Sequence, residues 1–119
     1  MNQIFTSEFP HETLNLFFPQ WQGSARFGLY EGANLICKLL HNDISLTQIP
    51  VSLTYSLTSS KNILGYSQVL SQLQHAFNVI KAHNPNRIMT IGGDCSVEIA
   101  PVSFLNQRHG HSLNVIWSG

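Results

Sequence analysis

Apolar residues alternate along the chain between short runs and helical stripes. Residues 14–18 form a compact apolar run ended by Pro19, which predicts a first strand. Over residues 29–40 the apolar positions recur at helical spacing, with Glu31 early and Lys38 late, as the helix macrodipole favours. This pattern predicts an amphipathic helix whose buried stripe is Leu29, Ala33, Ile36, Cys37 and Leu40.

A second strand and a second helix are predicted next. Residues 49–57 alternate between apolar and polar side chains, which is typical of a half-exposed strand. After the polar loop at 58–62, a longer helical pattern ends near Asn84 and Pro85. Its apolar stripe is Val69, Leu70, Leu73, Ala76, Phe77 and Ile80.

The third unit starts at residues 87–91, an apolar third strand that leads into Gly-Gly-Asp-Cys-Ser and then a helix over 96–107. Pro101 is early enough in that helix to be tolerated. Residues 113–117 are apolar except for Asn114 and predict a fourth strand covered on both faces. The inward positions expected on the helix are Ile99, Val102 or Ser103, and Phe104 or Leu105.

Strands that alternate with helices predict a three-layer α/β fold with a parallel sheet and right-handed crossovers. We expect residues 1–119 to form one domain with about four strands and three helices. In such sheets, sites lie beyond the carboxyl ends of the strands. The turn at 92–96 is therefore the strongest candidate site in the chain.

The candidate residues of this turn are Gly92, Gly93, Asp94, Cys95 and Ser96. Glycines are expected there because they tolerate positive φ. Asp94 is either a capping carboxylate or a group that orients a metal ligand without binding the metal itself. Cys95, near a helix N-terminus, is either a ligand or nucleophile, or a small thiol buried under the turn, and Ser96 is most simply a capping hydroxyl.

Charge and cysteine content limit the partners and the cellular compartment that the sequence predicts. Charged residues make up 10% of the 119 residues and sum to zero, so the sequence predicts no nucleic-acid or membrane partner and favours self-association. Cys37 lies on a buried stripe and is interpreted as core, and the two cysteines form no disulfide framework. Because neither a signal peptide nor a membrane-spanning stretch is evident, we expect a cytoplasmic protein.

The histidines are weaker candidates for metal ligands than the turn at 92–96. His75 and His83 are two helical turns apart, which is too far for both to bind one ion unaided. His109 and His111 form an H-x-H pair in a glycine-containing connection, where a solvated loop is the favoured interpretation over a metal site.

The stretch RIMTIGGDCSVEIAPVSFLNQRHGHSLNVIW resembles the first metal-binding signature of the arginase, agmatinase and formiminoglutamase superfamily of ureohydrolases. That signature is a strand ending in Gly-Gly-Asp-His-Ser, a helix, and a strand ending in Ile-Trp. The match spans about a quarter of the chain, and the FPQWQG stretch is similar to a bacterial arginase-like subgroup.

The resemblance implies an arginase-like α/β/α fold, here incomplete, with two manganese ions bridged by a hydroxide that attacks a guanidino or related carbon. It implies a small guanidino or amidine-type substrate. Cys95 stands at the family's histidine-ligand position, and manganese prefers carboxylate and imidazole to thiolate. The family's Asp-x-His-x-Asp loop would follow Trp117, but the sequence ends at Gly119.

The expected function is therefore the N-terminal part of an arginase-family metallohydrolase, inactive alone and carrying no catalytic residue of its own. Its one candidate metal ligand is Cys95, at the family's histidine-ligand position, with Gly92, Gly93, Asp94 and Ser96 as supporting or turn residues. The alternative is a non-catalytic binding or assembly module derived from that fold, which pairs through an exposed strand edge and apolar surface. A thiol hydrolase with Cys95 as nucleophile is a third hypothesis without a specific Cys–His spacing to support it.

Overall fold

The computed structural model describes residues 13–53, 59–60, 63–64 and 66–116. Their secondary structure alternates between strands and helices, as the hydrophobic pattern predicts. In chain order the elements are β1 (Thr13–Phe18), α1 (Gly28–Leu40), β2 (Thr47–Gln48), β3 (Ser59–Ser60), β4 (Ile63–Leu64), α2 (Tyr66–His83), β5 (Arg87–Gly92), a 3-10 turn (Cys95–Glu98) and α3 (Ile99–Arg108).

The main sheet has three parallel strands in the order β2-β1-β5. The register of β1 against β5 runs from Thr13 opposite Arg87 to Phe18 opposite Gly92. β3 and β4 form a separate antiparallel ribbon. Because all three main strands run in the same direction, the loops after β1, β2 and β5 meet at one edge of the sheet. The prediction of an α/β fold with a parallel sheet is confirmed.

Alternate side chains of β1 build two cores. Leu14, Leu16 and Phe18 point to one face and pack with residues of α2 and α3, including Ala76 and Phe104. Phe17 points to the other face and packs with Ile91 and with Ala33 of α1. The sheet is thus covered by two helices on one side and one helix on the other, the layered arrangement in which a strand buried on both faces is apolar throughout.

All three predicted helices form, but their buried stripes are narrower than predicted. In α1 Ala33 is buried, whereas Ile36 is 46% exposed because it lies at the margin of the contact with the sheet. In α3 the buried residues are Ala100, Pro101 and Phe104, and Ile99 is 54% exposed. The 3-10 turn before α3 has fewer residues per turn than an α-helix, so it shifts the phase that a continuous helix from 96 would have had.

The predicted second strand is wrong over residues 49–53. Only Thr47 and Gln48 pair with β1 as strand residues; the N–H of Ile49, which is buried beyond the end of β2, makes one further bond to the Phe17 carbonyl oxygen at 2.8 Å. Pro50 has no N–H to donate to a ladder, and the N–H of Ser52 donates to the Gln72 side chain at 2.8 Å instead. Residues 54–58 of that prediction lie outside the described residues.

The predicted fourth strand is also wrong over residues 113–116, which have no regular structure. Val115 is 68% exposed and Ile116 is 92% exposed, so this apolar run is not covered on both faces. An apolar run becomes a strand only when a neighbouring strand and a covering layer are available, and no described strand lies beyond β5. Residue 117 lies outside the described part of the chain.

In the described ranges, none of the helices combines the length and apolar character needed to cross a bilayer.

Candidate functional site

The loop after β1 and the turn after β5 are in direct contact at the carboxyl edge of the sheet. The backbone N–H of Asp94 donates to the carbonyl oxygen of Gln20 at 2.8 Å. The backbone N–H of Gly23 donates to Oδ2 of Asp94 at 2.9 Å. The FPQWQG loop and the GGDCS turn, which are distant in sequence, therefore form one structural unit.

Asp94 is the centre of this unit. Asp94 is 7% exposed, and its Oδ1 accepts a hydrogen bond from the backbone N–H of Ser96 at 3.1 Å. The hydroxyl of Ser96 also donates to Oδ1, and the side chain of Gln20 donates to the same atom at 3.5 Å. Asp94 is thus the N-cap of the 3-10 turn, and its two carboxylate oxygens are satisfied by protein donors.

The two glycines of the turn allow close approach rather than a left-handed backbone. A Cβ on Gly93 would lie 1.8 Å from the carbonyl oxygen of Gln20, and one on Gly92 would lie 2.5 Å from Cγ2 of Val97. Neither glycine has a positive φ, in contrast to Gly110 with a φ of 66°. The expectation of positive φ at Gly92 and Gly93 was wrong, because contact with neighbouring atoms is what requires them.

Three buried glutamines extend the unit toward α2. Gln20 and Gln22 are fully buried and Gln72 is 7% exposed. The Gln72 amide donates to Oε1 of Gln20 at 2.8 Å and to Oε1 of Gln22 at 3.3 Å. Buried amides cost free energy unless they are paired, and here each finds partners among the others.

The same network holds the loop after β2. The side-chain oxygen Oε1 of Gln72 accepts a hydrogen bond from the backbone N–H of Ser52, while the side chain of Gln22 donates to the Ser52 backbone carbonyl oxygen at 2.7 Å. Nε1 of Trp21 donates to that carbonyl oxygen at 3.0 Å. The loops after all three main strands are therefore tied together by side chains.

Sequence reasoning missed this glutamine network. One signal was available for Gln72, which occupies a position on the apolar stripe of α2 between the buried residues Val69 and Ala76. A polar residue at such a position has to find a hydrogen-bonding partner inside the protein. The partners themselves could not be predicted, because they come from two loops whose conformations carry no periodic pattern.

Cys95 lines an open cavity of about 460 Å³ between β5 and α3. Ile88 and Thr90 of β5 line one side, and Pro101 and Leu105 of α3 line the other. Cys95 is exposed and forms no disulfide, so it does not pack as a small thiol under the turn. Cys37 of α1, interpreted as core, is half-buried against Phe17, Ala33 and Ile91.

The donors described at this edge do not fit a binuclear manganese centre. Manganese binds carboxylate, carbonyl and imidazole groups, whereas both Asp94 oxygens already accept hydrogen bonds and Cys95 offers sulfur. His75, His83, His109 and His111 do not line the cavity. Over residues 13–53, 59–60, 63–64 and 66–116, no three His, Cys, Asp or Glu side chains are grouped as metal ligands would be.

Comparison with known proteins assigns no family: no protein-family model matches the chain, and no curated protein matches it significantly. The resemblance to the ureohydrolase signature therefore remains a prediction from the sequence motifs.

Proposed function

We propose that this chain is the N-terminal part of an arginase-family metallohydrolase with an arginase-like fold, which hydrolyses a guanidino or related C–N bond, and that the chain is inactive alone. One observation carries the proposal. The two stretches that resemble the family, 71 positions apart at Gly23 and Asp94, contact each other at the carboxyl edge of a parallel sheet. Ligand sites of parallel α/β folds lie at this edge.

The role proposed for these residues is to build and hold one side of a site. Asp94 fixes the turn against the FPQWQG loop, and the glutamine network holds both loops against α2. These hydrogen bonds hold the turn so that Cys95 lines the cavity. The ligands of a manganese pair would have to come from outside the described residues, so no hydrolytic step is assigned to this chain.

The first test is metal content and hydrolysis by the purified chain. After dialysis, we expect less than stoichiometric Mn²⁺ by mass spectrometry and no urea release from arginine or agmatine, nor hydrolysis of formiminoglutamate. Two tightly held manganese ions per chain, or turnover above the rate of a Cys95→Ala variant, would contradict the claim that the chain is inactive alone.

A second test asks whether Cys95 occupies a ligand position. A Cys95→His variant should bind Mn²⁺ about tenfold more tightly than the parent chain, because imidazole suits this ion better than a thiol. Titration with detection of free Mn²⁺ by electron paramagnetic resonance measures the difference. Cys37→His is the matched control, since Cys37 lies on α1 away from the cavity. Equal affinities for all three chains would refute the proposed ligand position.

A further inference from the structure

Helix α1 carries apolar side chains on the face that points away from the sheet. Leu35 is 63% exposed and Leu39 is 77% exposed, and Ile36, at the margin between this face and the sheet, is 46% exposed. Met89, on the neighbouring strand β5, is 38% exposed. Contiguous exposed apolar side chains on a helix often mark an interaction surface, and α1 is the one described helix on its side of the sheet.

A groove runs along most of the length of this face. It has a volume of about 580 Å³ and is lined by Phe27, Tyr30, Glu31, Asn34, Leu35 and Lys38. Phe27 contacts Trp21 edge-to-face at 5.0 Å between ring centroids and stacks on Tyr30 at 5.1 Å. The aromatic end of the groove is therefore fixed in place by the loop after β1.

The charges on α1 are arranged so that the face is complementary to itself. Glu31 and Lys38 are both exposed, lie two turns apart on the same side of the helix, and flank Leu35. When two copies of this helix pack antiparallel about a two-fold axis near Leu35, each Glu31 meets the Lys38 of the other copy. A parallel arrangement would bring like charges together.

We propose that α1 pairs with α1 of a second copy of this chain in an antiparallel two-fold dimer. Leu35 of each copy lies near the axis, and Leu39 of each copy lies over the aromatic end of the other's groove. A two-fold interface requires one surface that complements itself, which this face provides. The inference does not depend on the proposed metallohydrolase origin of the chain.

A second copy suits this face better than a charged partner does. The chain has a net charge of zero, and α1 carries one acidic and one basic side chain between its two ends, so no single-sign field attracts nucleic acid or an anionic membrane. One helix pair buries less than the roughly 800 Å² per partner of a standard interface. We therefore expect a dimer with a dissociation constant on the order of micromolar.

The dimer is tested by sedimentation equilibrium of the purified chain. We expect a monomer–dimer equilibrium that Leu39→Asn weakens by about tenfold or more. The control is Ile99→Asn, because Ile99 is also an exposed apolar residue but lies on α3, on the other side of the sheet. A parent chain that stays monomeric at hundreds of micromolar overturns the proposal. Binding of that monomer to neutral lipid vesicles would instead assign the apolar face of α1 to a lipid surface. Equal weakening by both variants also overturns it.

Charge exchange tests the two-fold geometry and leaves the apolar side chains unchanged. At low salt, Glu31→Lys and Lys38→Glu should each weaken the dimer severalfold, because each creates two like-charge contacts. The double variant should restore the parent affinity within about twofold. Far-UV circular dichroism confirms that all variants are folded. A double variant as weak as either single variant would exclude the antiparallel pair.

Discussion

Gly93 sets the closest approach between the two loops of the candidate site. We predict that Gly93→Ala destabilises the protein by about 3 kcal/mol or more, because the new Cβ would meet the Gln20 backbone rather than a movable side chain. Urea denaturation followed by circular dichroism measures the change in unfolding free energy.

Gly32 provides the matched control for this substitution. It lies inside α1, and a Cβ there meets no atom within 4 Å. Gly32→Ala should therefore stabilise the protein by about 0.5–1 kcal/mol, through helix propensity alone. The close-approach explanation is wrong if the alanine at 93 is tolerated as well as the alanine at 32.

At the scale of single residues, the sequence indicated the turn but not what each residue does there. Asp94 preceding a helical pattern was recognisable as a capping candidate, because such residues leave a local signature. Its bond to the Gly23 N–H and the contact of Gly93 with Gln20 depend on how two distant loops meet. Hydrophobic periodicity contains no information on such contacts.

Among the elements, α2 connects the core to the site through one side chain. We predict that Gln72→Ala destabilises the protein by about 2 kcal/mol or more, because it leaves the Ser52 N–H and the Gln20 amide oxygen without their bonds to Gln72. Chemical denaturation measures the loss. Gln74→Ala, at an exposed position of the same helix, should stay within about 0.5 kcal/mol of the parent.

The fluorescence of Trp21 gives a second readout of the same substitution. Its Nε1 donates to Ser52, so loosening of the loop after β2 should shift the emission to longer wavelength. A Trp117→Phe background removes the other tryptophan. Unchanged emission together with a large loss of stability would mean that Gln72 acts through helix packing alone and does not hold the loop.

Element prediction succeeded where a segment carries its own pattern and failed where a strand needs a neighbour. The stripe of α1 and the apolar runs of β1 and β5 were sufficient to locate those elements within one residue. The helical pattern after residue 62 located the end of α2, but α2 begins only at Tyr66, after β4. Residues 49–53 and 113–116 have strand-like composition, but the backbone of Ser52 bonds to side chains and Val115 is left exposed. Composition alone does not show whether an edge is available for pairing.

For the molecule as a whole, β1 couples the two cores. Leu16 belongs to the core under α2 and α3, and Phe17 belongs to the core under α1. We predict a single cooperative unfolding transition, and a loss of about 2–5 kcal/mol for Leu16→Ala. Hydrogen exchange should show faster exchange of α1 amides in this variant, although α1 lies on the opposite side of the sheet.

Leu39→Ala serves as the control for this coupling, measured at concentrations where the chain is monomeric. Leu39 is 77% exposed, so its truncation should change neither the midpoint nor the exchange of α2 and α3 appreciably. Two resolved transitions in the parent chain, one for each layer, would contradict the coupling through β1.

The position of β1 at the centre of the sheet also has a consequence for synthesis on the ribosome. Gln20 and Asp94, which join the ends of β1 and β5, are separated by 74 positions. At translation rates of about 5–20 residues per second, the apolar β1 is made on the order of 4–15 s before its principal partner exists. During that interval the unpaired β1 is a binding site for chaperones. A nascent chain stalled before β5 is expected to leave β1 exposed.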